Sequence, residues 1–295
     1  MILLAIVIIL TVLIIYLLNV RRQQLSRRAH NIQSSQRSQR FYDVNVYPTL
    51  ADIDHDKILS DVTLLQGKDW VDWPEKNLWD AGWTGASWTV FPLIAFGRKV
   101  DRNCKQVPNI MEFISRIDAK YGVKIAILSR LGAGMKLVPH QGWGEHSNSV
   151  LRCHYGVIVP AHTVVNGKSR ACRIEVADEI TDKCPECNMD VANVGLTDDS
   201  MTDVGLTEVG TRESVSTNVC TKCYDGYVYE SRKHRTGEWI IFDDSKMHMA
   251  ENTTDKDRIV LILDITRPVD IPAGTSTVED TSELKSIIAE YEKKE

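Results

Sequence analysis

Two stretches of this 295-residue chain carry side chains able to hold a metal beside an acid. Ser129–Pro160 reads SRLGAGMKLVPHQGWGEHSNSVLRCHYGVIVP, and Trp239–Pro268 reads WIIFDDSKMHMAENTTDKDRIVLILDITRP. Each sets a histidine, His140 or His248, beside apolar strand-like sequence and supplies an arginine, Arg152 or Arg258. Imidazole nitrogens bind first-row transition metals, and a guanidinium grips a carboxylate through two parallel hydrogen bonds. A metal next to a carboxylate-bearing cosubstrate is the arrangement of a non-haem iron oxygenase.

The elements that must position these groups are strands. Side chains alternate along Leu151–Val159, so Arg152, His154 and Gly156 share one face. In the last strand Arg258, Val260 and Ile262 share one face, and Ile259, Leu261 and Leu263 the other. A strand apolar on both faces lies inside a sandwich, so an arginine at its start is half-buried and needs an anion. That anion is either a cosubstrate or a neighbouring acid such as Asp243, Asp244 or Asp264. Ser129 shares a face with Ile125 and Ile127 and is expected to point inward. Strands are predicted at 88–96, 123–131, 135–138, 151–159, 170–176, 226–230, 238–242, 246–251 and 258–265. Helices are predicted within 50–65, with Ile53, Ile58, Leu59 and Val62 on one side, and over 108–121, burying Ile110, Phe113, Ile114 and Ile117. The tryptophan-rich stretch 70–88 reads as core and rim packing. The fold class is therefore mainly β with flanking helices, a sandwich or jelly roll.

Several motifs recur in one order. Ser129 stands eleven residues before the histidine of Pro139-His140-Gln141-Gly142. Arg152 and His154 form RxH within LRCHYG, Phe242–Ser245 reads FDDS, and His248 stands ten residues before Arg258. Over roughly 85–179 and 237–268 the chain resembles the aspartyl/asparaginyl β-hydroxylase family of Fe(II)/2-oxoglutarate-dependent dioxygenases. The resemblance implies a double-stranded β-helix (a cupin-like jelly roll) using Fe(II), 2-oxoglutarate and O2. It implies that His140 and His248 bind the iron. Arg258, with Ser129 beside it, would hold one cosubstrate carboxylate, and Arg152 and His154 would engage the other end. The third position of an HxD triad is Gly142, so the implied site has two histidines completed by water, with Glu145 the nearby acid able to reach in. The substrate implied first is the β-carbon of Asp or Asn in a protein. HMAENTTDKDR resembles an acyl-hydroxylase branch equally well, which makes a lipid acyl chain the alternative.

The remaining sequence sets further expectations. Met1–Val20 is almost unbroken apolar sequence, about 30 Å of helix, followed by Arg21, Arg22, Arg27 and Arg28. It predicts a single-pass membrane anchor with the catalytic domain on the cytoplasmic side, the arginines setting the orientation. Residues 21–40 read as a basic polar linker, 41–179 and 225–270 as a discontinuous oxygenase domain, and 271–295 as a charged C-terminal helix. Cys184, Cys187, Cys220 and Cys223 form two CxxC pairs flanking an acidic loop, a zinc-ribbon-like insert over 180–224 that would hold structural zinc and meet a protein partner. A catalytically inactive, membrane-tethered zinc adaptor is the reading from another functional class. With a net charge of −5 and mixed signs, no nucleic-acid partner is expected.

Overall fold

The computed structural model describes residues 39–79, 87–179, 223–224, 227–279 and 281. The strands, in chain order, are β1 (Phe41–Tyr42), β2 (Val71–Asp72), β3 (Trp88–Ala95), β4 (Arg98–Lys99), β5 (Val123–Leu131), β6 (Val150–Ile158) and β7 (Thr163–Val165). They continue with β8 (Lys168–Arg170), β9 (Cys172–Glu179), β10 (Cys223–Tyr224), β11 (Tyr227–Lys233), β12 (Trp239–Phe242), β13 (His248–Asn252) and β14 (Arg258–Thr266). One sheet has the order β1-β12-β6-β14-β5-β3-β2, with β4 on β3; a second has the order β10-β11-β9-β13. Isolated bridges from Lys136 to Glu251 and from His140 to His248 extend the second sheet past β13. Between β5 and β14 the chain crosses repeatedly from one sheet to the other, with β9–β11 consecutive in the smaller sheet and β7–β8 a separate hairpin, which is a jelly roll.

The two sheets share an apolar interior. Trp88, Leu131, Ile240 and Phe242 of the larger sheet pack on Ile174, Val176 and Ala250 of the smaller one. β14 is buried on both faces from Val260 to Ile265, as its apolar run Val260–Leu263 requires, with Asp264 the one charged residue in that stretch. Its outer face is covered by helix Pro108–Tyr121, which buries Ile110, Phe113, Ile114 and Ile117. Proline opens that helix and Gly122 closes it at φ 78°, a conformation glycine adopts without steric cost.

Most predicted elements stand within a few residues of their expected places. The expected strand 135–138 is reduced to bridges, because Met135–His140 must turn to bring His140 across the mouth of the barrel. The helix expected within 50–65 begins at His55, after a 3-10 turn at Pro48–Asp52, with Asp54 capping it. The hairpin β7–β8 and helix Gly144–Ser149 carry no periodic apolar pattern and were not predicted.

One expectation is corrected. Among the described residues no helix is long and apolar enough to cross a membrane, so single-pass membrane localisation with a cytoplasmic catalytic domain is withdrawn. The apolar run 1–20 and nearly all of the 21–40 linker lie outside the described residues, as do Cys184, Cys187, Cys220 and 282–295. Cys223 begins β10, which pairs with β11, and the four-cysteine zinc site is left as an expectation.

Candidate active site

His140 and His248 meet across an isolated antiparallel bridge, each main-chain N–H donating to the other's carbonyl at 2.9 and 2.8 Å. Their ring centroids are 4.3 Å apart. The two side chains are anchored alike. Nδ1 of His140 lies 2.8 Å from the carbonyl of Val138, and Nδ1 of His248 lies 2.8 Å from the carbonyl of Lys246. A carbonyl only accepts, so each Nδ1 carries the proton and each Nε2 is left as a lone pair for a metal. Burial keeps the rings neutral, lowering His140 to about 3 and His248 to about 4.

Gly142, the position without a carboxylate, is filled from elsewhere. A Cβ on Gly142 would lie 2.0 Å from Oδ2 of Asp244. Asp244 is buried, its Oδ1 accepts from Arg152 and lies 3.3 Å from Nε2 of His248, and its Oδ2 has no partner. The Asp244 carboxylate therefore stands beside the second histidine, four residues before it in sequence. Among the described residues no set of three His, Cys, Asp or Glu side chains is placed to hold a metal unaided, so two imidazoles are the protein's ready contribution. Glu145 is exposed on its short helix and does not reach in.

The inner face of β14 explains the two arginines differently. Arg152 is fully engaged: Nε and Nη2 donate to Asp264 at 2.8 and 2.7 Å, and Nη1 donates to Asp244. His146 adds Nε2 at 2.7 Å from the same Asp264. This pairing with Arg152 outweighs burial and holds the Asp264 carboxyl well below the usual range, whereas burial pushes Asp244 up. Arg258 has no such partner. It is 2% exposed, and its Nε and Nη1 are buried without an acceptor. Of the acids that might have paired with it, Asp243 is bound to Arg267 and Asp264 to Arg152. Burying an unpaired guanidinium costs several kcal/mol, an expense that a missing anion would offset. Desolvation accordingly lowers Arg258 to about 10.

Ser129 sits on the same inner face, opposite Val260 and diagonal to Arg258. Its Oγ accepts from Nε1 of Trp88 at 3.0 Å, which leaves the hydroxyl proton to donate to an anion beside Arg258. His154 lies opposite Ile262 on that face, its Nε2 buried and unpartnered. The structure thus gathers His140, His248, Arg152, His154, Ser129 and Arg258 on the barrel's interior and leaves buried polar atoms unpaired on two of them, His154 and Arg258. The sequence offers Asp244 only as a possible partner of Arg258, whereas the structure pairs it with Arg152 beside His248, and nothing in the sequence points to His146. For Asp244 a signal existed, its spacing of four from His248.

A family model for aspartyl/asparaginyl β-hydroxylases matches residues 54–185 and 214–268. The chain belongs to this family. Among curated relatives it is similar to the ornithine lipid ester-linked acyl 2-hydroxylase of Rhizobium tropici, at 27% identity over 190 residues. That match covers 64% of this chain and 45% of the relative, so the family member described here spans less than half of the relative's length. Solved structures with a similar course include a 2OG-Fe(II) oxygenase-family oxidoreductase from Burkholderia pseudomallei, at 11% identity and TM-score 0.39, covering 73% of this chain and 80% of that one. A Pseudomonas putida prolyl-4-hydroxylase matches at 10% identity and TM-score 0.34, covering 73% and 89%.

The buried neutral imidazoles have a consequence for stability. In the unfolded chain both histidines take up protons near pH 6.5, whereas the folded protein resists protonation until about pH 4 and below. Below pH 6.5 the unfolded state therefore binds more protons, and folding stability falls as pH falls. The raised Asp244 carboxyl acts in the opposite direction, by less than the two rings together. His154 and His234, buried and held below their usual range in the same way, add to this trend, so metal-free protein is expected to be at least about 2 kcal/mol less stable at pH 5 than at pH 7, as read by urea unfolding at the two pH values. Equal midpoints would contradict neutral histidines in the folded state.

Proposed function

We propose that this protein is an Fe(II)/2-oxoglutarate-dependent hydroxylase acting on an unactivated carbon. The observation that supports it most is the coexistence, on one inner face, of two Nδ1-anchored imidazoles and the buried, unpartnered guanidinium of Arg258. The residues fit the group. His140 and His248 would hold iron(II) through Nε2, with Asp244 beside them for bound solvent. Iron supplies the activation of O2, coupled to oxidative decarboxylation of 2-oxoglutarate to succinate and CO2. The chain's own residues bind and exclude. Arg258 and Ser129 grip a carboxylate, Arg152 stays locked between Asp264 and Asp244, and Trp88, Phe242 and Ile262 keep bulk water from the interior.

The substrate has two readings. The family name points to Asp or Asn side chains of proteins, and the relative from Rhizobium tropici to an acyl chain. One observation favours the acyl chain. Trp73, Leu78 and Trp79 are half-buried against the core, and the Leu78 carbonyl accepts from the Val138 N–H two residues before His140. An apolar wall beside the metal site suits a hydrocarbon better than a carboxylate. Mass spectrometry on proteins and lipids from cells with and without active enzyme checks this. A 16-dalton gain on acyl lipids is the expected result, a gain on proteins alone restores the Asp/Asn reading, and no 2-oxoglutarate turnover by the purified protein defeats both.

A further inference from the structure

The apolar wall beside the metal site holds two hydrogen-bond donors with no acceptor. Nε1 of Trp73 and Nε1 of Trp79 are both buried, and neither is paired. Neighbouring indoles are satisfied: Trp88 donates to Oγ of Ser129 at 3.0 Å, and Trp143 to Oε1 of Glu75 at 3.2 Å. The Trp73 ring stacks on both of these, on Trp88 at 4.7 Å and 20° and on Trp143 at 6.1 Å and 16°. Trp88 leads through Ser129 towards Arg258, and Trp143 follows Gly142, where Asp244 stands. Trp79 bridges Leu137, three residues before His140. The two donors thus lie on one segment that borders both the cosubstrate end and the metal end of the interior.

An indole N–H is a neutral donor and suits a neutral oxygen. Packing alone gives no reason to keep two of them unpaired, since phenylalanine fills much of the same wall without burying an unsatisfied group. A charged partner is disfavoured here. Glu75 lies on the same segment, 6% exposed, with its Oε1 accepting from Trp143 and, at 3.0 Å, from Oγ1 of Thr281. Its negative charge is felt as far as Arg152. Arg152 is committed to Asp264 and Asp244, and Arg258 serves the cosubstrate. A substrate carboxylate against this wall would face Glu75 with both of those arginines taken. A hydrocarbon carrying one neutral carbonyl matches what remains: aromatic surface for the chain and N–H groups for the oxygen.

We propose that Trp73 and Trp79 determine substrate specificity: their indole N–H groups donate to the neutral carbonyl of an ester- or amide-linked acyl group while their rings line its chain. This rests on the acyl-chain reading above. A carbonyl oxygen has two lone pairs and can accept from both. The assignment narrows the substrate to a linked acyl group and excludes a free fatty acid, whose carboxylate would lie against Glu75.

The test is calorimetric titration of the full chain, with Mn(II) and 2-oxoglutarate present, using probes of equal chain length: methyl decanoate, N-methyldecanamide, decyl methyl ether and decanoate. Wild type is expected to bind the ester or the amide about tenfold more tightly than the ether or the free acid. The double variant, Trp73→Phe with Trp79→Phe, keeps two aromatic rings and loses both donors. It should bind ester, amide and ether within about twofold of one another, with the ether affinity as in wild type. A wild type without the preference, or a double variant that retains it, overturns the proposal. So does an equal loss of ester and ether in the double variant, which would make the rings packing alone, and so does decanoate bound as tightly as the ester. Should the double variant not fold, nitrogen-15 NMR of the wild type decides: indole N–H resonances of Trp73 and Trp79 that shift downfield with the ester and not with the ether uphold the assignment, and unmoved ones refute it. A wild type that binds none of the probes instead refutes the acyl-chain reading, a result visible before any variant is made.

Discussion

Replacing both His140 and His248 by alanine is expected to lower iron-dependent succinate formation by at least about a thousandfold, roughly 4 kcal/mol of lost transition-state stabilisation. The double replacement is the decisive one. With no third protein ligand ready in place, a single replacement still leaves one imidazole, and a chelating cosubstrate adds ligands of its own. Removing both leaves only Asp244, already committed to Arg152. The fold should survive, because the bridge between residues 140 and 248 is made by main-chain atoms that alanine retains. Circular dichroism and a succinate assay with and without added iron check the two halves of this expectation. A double variant retaining a tenth of wild-type turnover would show that the metal sits elsewhere.

Arg258→Met is expected to move affinity and stability in opposite directions. Methionine has much of the arginine's reach and none of its charge. Loss of the guanidinium should weaken 2-oxoglutarate by at least about a hundredfold, in line with the 2–5 kcal/mol typical of a buried hydrogen-bonded charge pair. The cosubstrate-free protein should become more stable by about 1 kcal/mol or more, because an unpaired cation no longer has to be desolvated. Arg258 is among the largest fully buried side chains, so the effect is not diluted by solvent. Titration calorimetry and urea unfolding of the same preparation read both signs. A destabilised variant with unchanged affinity would make Arg258 a structural residue.

Much of this could be seen in the sequence, and the reasons differ by residue. Strands β5, β6 and β14 were legible because burial on one or both faces writes a two-residue period or an apolar run. The shared face of Arg152 and His154 followed from that period alone. What could not be read were partners distant in sequence. His234 meets His154 across 80 residues, and Asp264 meets Arg152 across 112. Asp264 had been weighed only as a partner for Arg258, its neighbour on the same strand, when the geometry gives it to Arg152. Gly142 looked like a gap because sequence shows what a position lacks; only the folded chain shows that the Asp244 carboxylate crowds the place where its side chain would stand.

The pairing of charges inside the barrel also bears on the order in which ligands enter. Arg152 and Arg258 contribute two positive charges to the interior, Asp244 and Asp264 two negative ones, and the imidazoles none. The charges of these four side chains therefore sum to zero. Iron(II) with the 2-oxoglutarate dianion adds zero net charge, whereas either one alone leaves two units uncompensated in a medium of low dielectric. Each ligand should raise the affinity for the other, by the same factor in both directions. The Arg258 titrations, run with and without divalent metal, measure that factor directly; a value of one would mean that the interior balances its charges by another route.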